Sequence, residues 1–238
     1  MIILPKEHGV WAMLAVPFIV GLGLSQQSWL HLPLFLGLLF LFLCAYCLLN
    51  IIGARNGVDD YKKWSIIYGA LAIFGLAVPI AKYPGILWLG LLVVPLLLVN
   101  IYFIQVKKER GMLSNFSTIS ILSLGVVASG YLSLGGFGNK LWLAWLFCVI
   151  FFMGSVFFVK TMLRERRNIS YKYLSWSYHL MILIILSIIS GSGLLLVAYL
   201  PSMVRAFICY GRSLTPLAIG KIEIINSIIF TICLIIYF

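Results

Sequence analysis

An all-α, polytopic membrane helical bundle of about nine transmembrane helices is the fold this sequence predicts, and three observations predict it. Hydrophobic residues make up 63% of the chain, charged residues only 10%, and the apolar residues fall in long continuous runs. A soluble domain is about 25% charged, so this chain lacks the polar surface to cover itself, and its spare apolar residues must face lipid. Continuous runs, rather than period-two alternation, speak against a transmembrane barrel.

The spanning runs lie at approximately 9–25, 32–54, 64–81, 85–105, 116–134, 141–160, 174–190, 192–210 and 221–238. The first opens from "PKEHGVW", which places Lys6, Glu7 and His8 at its entry, with Gly9 allowing close backbone approach. No small-x-small cleavage site follows "VGLGLSQQS", so it reads as an uncleaved helix. The second holds Cys44 and Cys47 as C-x-x-C, in a lipid-length helix with no charged neighbour to activate a thiol. Cys148, Cys209 and Cys233 also lie in apolar stretches, which suits buried side chains rather than disulfides. Pro17, Pro79, Pro95 and Pro201 fall within or beside the first, third, fourth and eighth runs, as membrane helices tolerate. The seventh and eighth runs divide around "SGSG" (190–193). No linker, low-complexity tract or soluble domain interrupts the series, so 1–238 reads as a single transmembrane domain.

The net charge is +11, and its distribution predicts orientation. With the N-terminus inside, the internal segments carry Lys6, Arg55, Lys62, Lys63, Lys107, Lys108, Arg110, Lys160, Arg164, Arg166, Arg167, Lys172, Arg212 and Lys221. The external loops carry only Lys82 and Lys140. So lopsided a division places the N-terminus in the cytoplasm and, with an odd helix count, the C-terminus outside. Trp29, Trp64, Trp142 and Trp176, near helix ends, fit an interfacial belt. No stretch is long enough to fold as a solvated basic domain, so nucleic acid is not an expected partner. The expected location is a bacterial cytoplasmic membrane.

Nearly all ionisable groups gather at the internal face. "NIIGARNGVDDYKKW" (50–64) supplies Asn50, Arg55, Asp59 and Asp60, and "NIYFIQVKKERG" (100–111) supplies Asn100 and Lys107. "FFVKTMLRERRN" (157–168) supplies Lys160 and Arg164, which with Arg167 share one face if the helix continues. Even-numbered helices of a bundle converge at one mouth, so these stretches are placed to line one polar chamber. Arg166, Arg167 and Lys172 read as juxtamembrane anchors. Lys160 lies deeper, where a cation must snorkel outward or meet an anion. Asp59 and Asp60 are the paired carboxylates and the candidate metal ligands, although Lys62 and Lys63 beside them also fit a solvated loop with local ion pairs. His31 is expected outside and His8 and His179 inside, with no metal-ligand spacing among them. Arg205, within an apolar stretch, and Glu223, opening the last helix, are expected to pair, with Asn226 beside them.

On "PKEHGVWAMLAVP" (5–17), "FFVKTMLRERRN" and "VRAFICYGRS…IGKIEIINS", the chain resembles the YwiC-like family of bacterial membrane proteins. Nine helices with polar turns after the second and sixth, and the stretch "IYFIQVKKERGMLSNFSTISILSLGVVASGY" (101–131), are more distantly similar to the UbiA-type membrane prenyltransferases. That resemblance implies a UbiA-like bundle and an isoprenoid diphosphate bound through Mg²⁺ on two aspartate-rich motifs. Asn50 matches the first motif's asparagine, but Ile51, Ala54 and Val58 stand at its aspartate positions. Lys160 and Arg164 occupy the four-residue spacing of the second. Lysine and arginine bind phosphate directly, where carboxylates need a metal. The expected function is therefore binding of an anionic or isoprenoid-like lipid head-group, with Asn50, Arg55, Lys107, Lys160, Arg164, His8 and Glu7 in reach. One alternative is a prenyltransferase or other lipid-modifying enzyme, with Mg²⁺ on Asp59 and Asp60. The other is a small-anion or solute transporter, for which no repeated pair of broken helices is evident.

Overall fold

Every backbone N–H and C=O inside a bilayer needs a partner from the chain itself, and a long apolar run meets that need by closing into a helix. The computed structural model describes residues 2–5, 8–54, 57–109, 111–189 and 191–238, with His8 described for its backbone only. Its helices are α1 (His8–Gly23), α2 (His31–Ile52), α3 (Val58–Lys82), α4 (Trp88–Gln105), α5 (Met112–Leu134), α6 (Asn139–Leu163), α7 (Ile169–Ile189), α8 (Gly193–Ile208) and α9 (Pro216–Tyr237). A short 3₁₀ turn, Pro84–Leu87, precedes α4, and no strand occurs among the described residues. Seven of the helices, with Pro84–Gln105 counted as one, are long and apolar enough to cross a bilayer. The other two, α1 and α8, have 16 residues each, about 24 Å, against a hydrocarbon core of about 30 Å. Pro17, Pro79, Pro95 and Pro201 all lie inside helices. The α7–α8 boundary falls where expected: Ser192 caps α8, its Oγ accepting from the Leu194 N–H.

The chain forms two compact units, 1–145 and 146–238, with α6 belonging to both. In the first unit the helices alternate in direction. Phe18 and Gly21, late in α1, meet the Gly125–Ser129 stretch of α5, whereas Gly37, early in α2, meets Gly75, late in α3. Asn100, at the end of α4, meets Ser114, at the start of α5. In the second unit Tyr178 of α7 donates to the Ile150 carbonyl of α6, Tyr199 of α8 to that of Phe147, and Tyr237 of α9 packs against Phe147. The turns after α2 and α4 thus fall at one end of the first unit, and those after α6 and α8 at one end of the second.

Burial follows contact rather than hydrophobicity, as expected where lipid is the solvent. The spanning window of α5 is 72% buried against 17% for α4 and α7, so α5 is the inner stave of its unit. Its small residues permit this: Ser117, Ser120, Gly125, Ala128, Ser129 and Gly130 are all buried. Small residues let helix backbones approach where no hydrophobic force drives them together. A close approach of two backbones joins α2 to α3. A Cβ on Gly75 would stand 2.9 Å from both the Gly37 Cα and its backbone nitrogen, so neither helix can yield without separating. Gly75→Val should therefore destabilise the protein by about 1–3 kcal/mol, as overpacking of a tight core does. Gly90→Val, at an open position, should leave the melting temperature in detergent almost unchanged. Equal melting temperatures for the two variants would refute the close packing.

Candidate functional site

Most of the basic residues gather at one end of each unit. In the first, Lys62, Lys63, Lys107 and Lys108 lie at the end formed by the turns after α2 and α4, and Lys82 and Lys140 at the other. In the second, Lys160, Arg164, Arg166, Arg167, Arg212 and Lys221 all lie at the end formed by the turns after α6 and α8.

The α4 end is built from a reversal of the chain. The Lys108 N–H donates to the Phe103 carbonyl at 2.8 Å and the Lys107 N–H to that of Ile104 at 3.0 Å, with Lys107 left-handed at φ 56°. This pairing satisfies the helix's last carbonyls and ends it abruptly. It leaves both lysines exposed around an open hollow of about 520 Å³, which Phe103, Glu109 and Gly111 complete. Just below, the buried Asn100 accepts from Ser114 Oγ at 3.1 Å and Thr118 Oγ1 at 3.4 Å, clamping α4 to α5.

At the α2 end, Asn50 is buried and its Nδ2 donates to the Tyr46 carbonyl at 2.6 Å. The atom it leaves without a partner is Oδ1, an acceptor, which suits a donor better than an anion. Asp59 and Asp60 do not occupy a loop: α3 begins at Val58, six residues before the apolar run, because Gly57 at φ 84° turns the chain into the helix. Carboxylates in a first helical turn are favoured by the unpaired N–H groups there. Asp59 Oδ1 lies 3.6 Å from Lys62 Nζ, a solvated pair of little energetic weight. Among the described residues no cluster of three or more His, Cys, Asp or Glu forms a metal site. Glu7, Arg55 and the His8 side chain lie outside the described residues.

The α6 end differs from the sequence expectation. The helix stops at Leu163, and the N–H groups of Arg164 and Glu165 both return to the Lys160 carbonyl, at 3.0 and 2.8 Å. Glu165 Oε2 accepts from Asn168 Nδ2 at 2.9 Å within the turn that follows, and Arg167, four residues past the end of α6, leaves the helical face it was expected to share with Lys160, whereas Arg164 still closes the last helical turn on the Lys160 carbonyl. Lys160 is half-buried in the last turn of α6, while Arg164, Arg166 and Arg167 are exposed. Lys172 is no plain anchor either. Its ammonium lies 4.4 Å from the Trp176 ring, 4.8 Å from Tyr210 and 5.4 Å from Tyr173, a cation–π enclosure.

The most completely built polar cluster is the one around Arg205. The guanidinium is buried, donates to Glu223 through Nη1 and to Ser155 Oγ through Nη2 at 3.1 Å, and stacks 4.7 Å from the centre of Phe158. The expected Arg205–Glu223 pair is therefore present. Ser155 and Phe158 were not read from the sequence, although a serine beside a glycine in an apolar run is a recognisable mark of a helix contact. Asn226, one turn along α9 from Glu223, bridges α9 to α8 by donating to Ser202 Oγ at 2.9 Å. His179 lies ten residues into α7, about 15 Å from its start, because α7 begins at Ile169 and not near 174. His31 is buried, its ring held by Ser28 and by the Ser129 carbonyl. All five cysteines are free thiols.

Removing one member of a buried pair strands the other, at about 3–5 kcal/mol. Arg205→Ala should lower the melting temperature accordingly, and Glu223→Gln in the same molecule should restore part of the loss. Strictly additive losses in the double-mutant cycle would show that the two do not interact.

A model of the YwiC-like protein family matches residues 4–131, which lie in the first unit. A Bacillus subtilis protein, "Uncharacterized protein YwiC", is 36% identical over 228 residues, 96% of this chain and 95% of that protein. A Haemophilus influenzae protein named "Uncharacterized protein" is 34% identical over 237 residues, 99% and 98% of the two chains. No solved structure matches. These identities run through both units, and the chain belongs to the YwiC-like protein family.

Proposed function

We propose that this member of the YwiC-like family is a multi-pass protein of the bacterial cytoplasmic membrane that binds the head-group of an anionic or isoprenoid-like lipid at its cationic helix ends. The observation that carries the reading is the hollow of about 520 Å³ at the end of α4, whose rim holds the exposed Lys107 and Lys108. A phosphate or diphosphate fits such a rim because lysine binds it as a point charge. Phe103, in the same rim, offers an apolar wall on which an acyl or isoprenoid chain can lie. Lys160 and Arg164, joined through one backbone turn, form a second cationic seat at the end of α6. The gathering of cations at one end of each unit favours the cytoplasmic face for both seats, with the N-terminus inside. The distant likeness to UbiA-type prenyltransferases belongs to this reading, with direct cationic contacts replacing the metal.

The test is binding of an isoprenoid diphosphate, or of an acidic phospholipid, to purified protein. A charge-assisted bond to a seated phosphate is worth about 1.5–3 kcal/mol, more than tenfold in affinity. Lys107→Gln should weaken binding at the α4 seat by that much, Lys160→Gln and Arg164→Gln should each do so at the α6 seat, and exposed Arg166→Gln should barely change it. EDTA should have little effect. Equal small losses at all four positions would reduce the cations to lipid anchors. Loss of binding with EDTA and with Asp60→Asn, but not with Lys160→Gln, would replace this reading with a metal-dependent enzyme.

A further inference from the structure

The second unit contains a polar site remote from its cationic end. His179 is 4% exposed, and its Nδ1 lies 2.7 Å from the Ser175 carbonyl one turn earlier on α7. A carbonyl can only accept, so the ring proton belongs on Nδ1 and Nε2 is a bare acceptor. Nε2 is buried and has no hydrogen-bond partner. His179 faces a cavity of about 10 Å³ whose walls include Ile150, Gly154, Tyr178, Ile182, Tyr199 and Ser202. Gly154 keeps this space open, since a Cβ there would stand 3.2 Å from Nε2.

The hydrogen-bond inventory of the walls is specific. Tyr178 and Tyr199 already donate their hydroxyl protons to the carbonyls of Ile150 and Phe147, at 2.8 and 2.7 Å. Ser202 Oγ accepts from Asn226 Nδ2, which leaves its own proton to give. Among the described walls, His179 Nε2 is therefore the acceptor left without any partner, and the Ser202 hydroxyl is the group with a proton still to give. A single water is both donor and acceptor, and a space of about 10–15 Å³ holds one. One nitrogen and one hydroxyl are too few ligands for a metal ion.

We propose that this cavity is a binding site for one water molecule, which donates to His179 Nε2 and accepts from the Ser202 hydroxyl. The water joins α7 to α8 and, through Asn226, to α9. It satisfies the one ring atom that the protein leaves without a partner.

Solid-state NMR of ¹⁵N-histidine-labelled protein in lipid bilayers tests this, with a His179→Asn sample to assign the resonance among the three histidines. The expected result is a neutral ring protonated at Nδ1, an Nε2 shift typical of a hydrogen-bonded acceptor, and magnetisation transfer to the ring from water. In Gly154→Ala the added methyl fills the cavity, and the transfer should fall several-fold while the tautomer persists. A wild-type ring protonated at Nε2, or one that receives no magnetisation from water, would overturn the proposal without reference to any variant. A hydrogen-bonded Nε2 with no transfer would also overturn it, by showing that a protein group fills the role. None of these outcomes depends on lipid head-group binding.

Discussion

Lipid tails are as apolar as leucine, so burying a leucine between two membrane helices gains no hydrophobic free energy, and helices must be held by other means. The two units answer this constraint differently. The first brings backbones close, through Gly37 against Gly75 and through Gly21 against Val126 and Ser129. Dispersion and packing then do what water would do for a soluble core. The second unit adds a buried ion pair to interhelix polar bonds of the kind that Asn100 makes with Ser114 and Thr118 in the first. Arg205 reaches Glu223 and Ser155, Asn226 reaches Ser202, and the Tyr178, Tyr199 and Trp176 side chains each donate to a carbonyl of a neighbouring helix. Either device also fixes register, since a glycine contact or a guanidinium pair is lost when a helix slides by one turn.

The same constraint sorts the cations by what they can do. Arg205 is spent on protein partners and Lys172 on three aromatic rings. Lys107, Lys108 and Arg164 are exposed on turns where helices end and water begins. Turns are where a membrane protein can present a polar group without stranding it in hydrocarbon, which is why the ligand reading rests on them. The buried part of the polar inventory builds the bundle, and the proposed head-group contacts draw on exposed cations.

Much of the fold was legible because its signal is simple. Apolar runs of lipid length give helices, and the nine runs correspond in order to the nine helices of the described residues. The Arg205–Glu223 pair was legible too, since a guanidinium in an apolar stretch demands a carboxylate within reach. Helix ends were less so. Apolar periodicity starts late at α3 and α7, where Asp59, Lys62, Tyr171 and Lys172 extend the helix into the polar zone beyond the hydrophobic run. α6 ends at Leu163, where the Glu165 N–H turns back to the Lys160 carbonyl, a feature that no pattern of hydropathy records. The small cavity at His179 was invisible for a different reason: it arises from residues on three helices, and the glycine that opens it is identical in sequence to one that merely packs.

The proposed function expects both the cationic turn after α4 and that after α6 on the cytoplasmic side of the membrane. Single cysteines at Lys108, Arg166 and Gly138, all exposed positions, test it most directly, because the native cysteines lie within the helices or at the buried end of α8. In intact cells a membrane-impermeant thiol reagent should label the cysteine at 138 and leave those at 108 and 166 unlabelled until the membrane is permeabilised. Labelling at 108 or at 166 from outside intact cells would contradict the account.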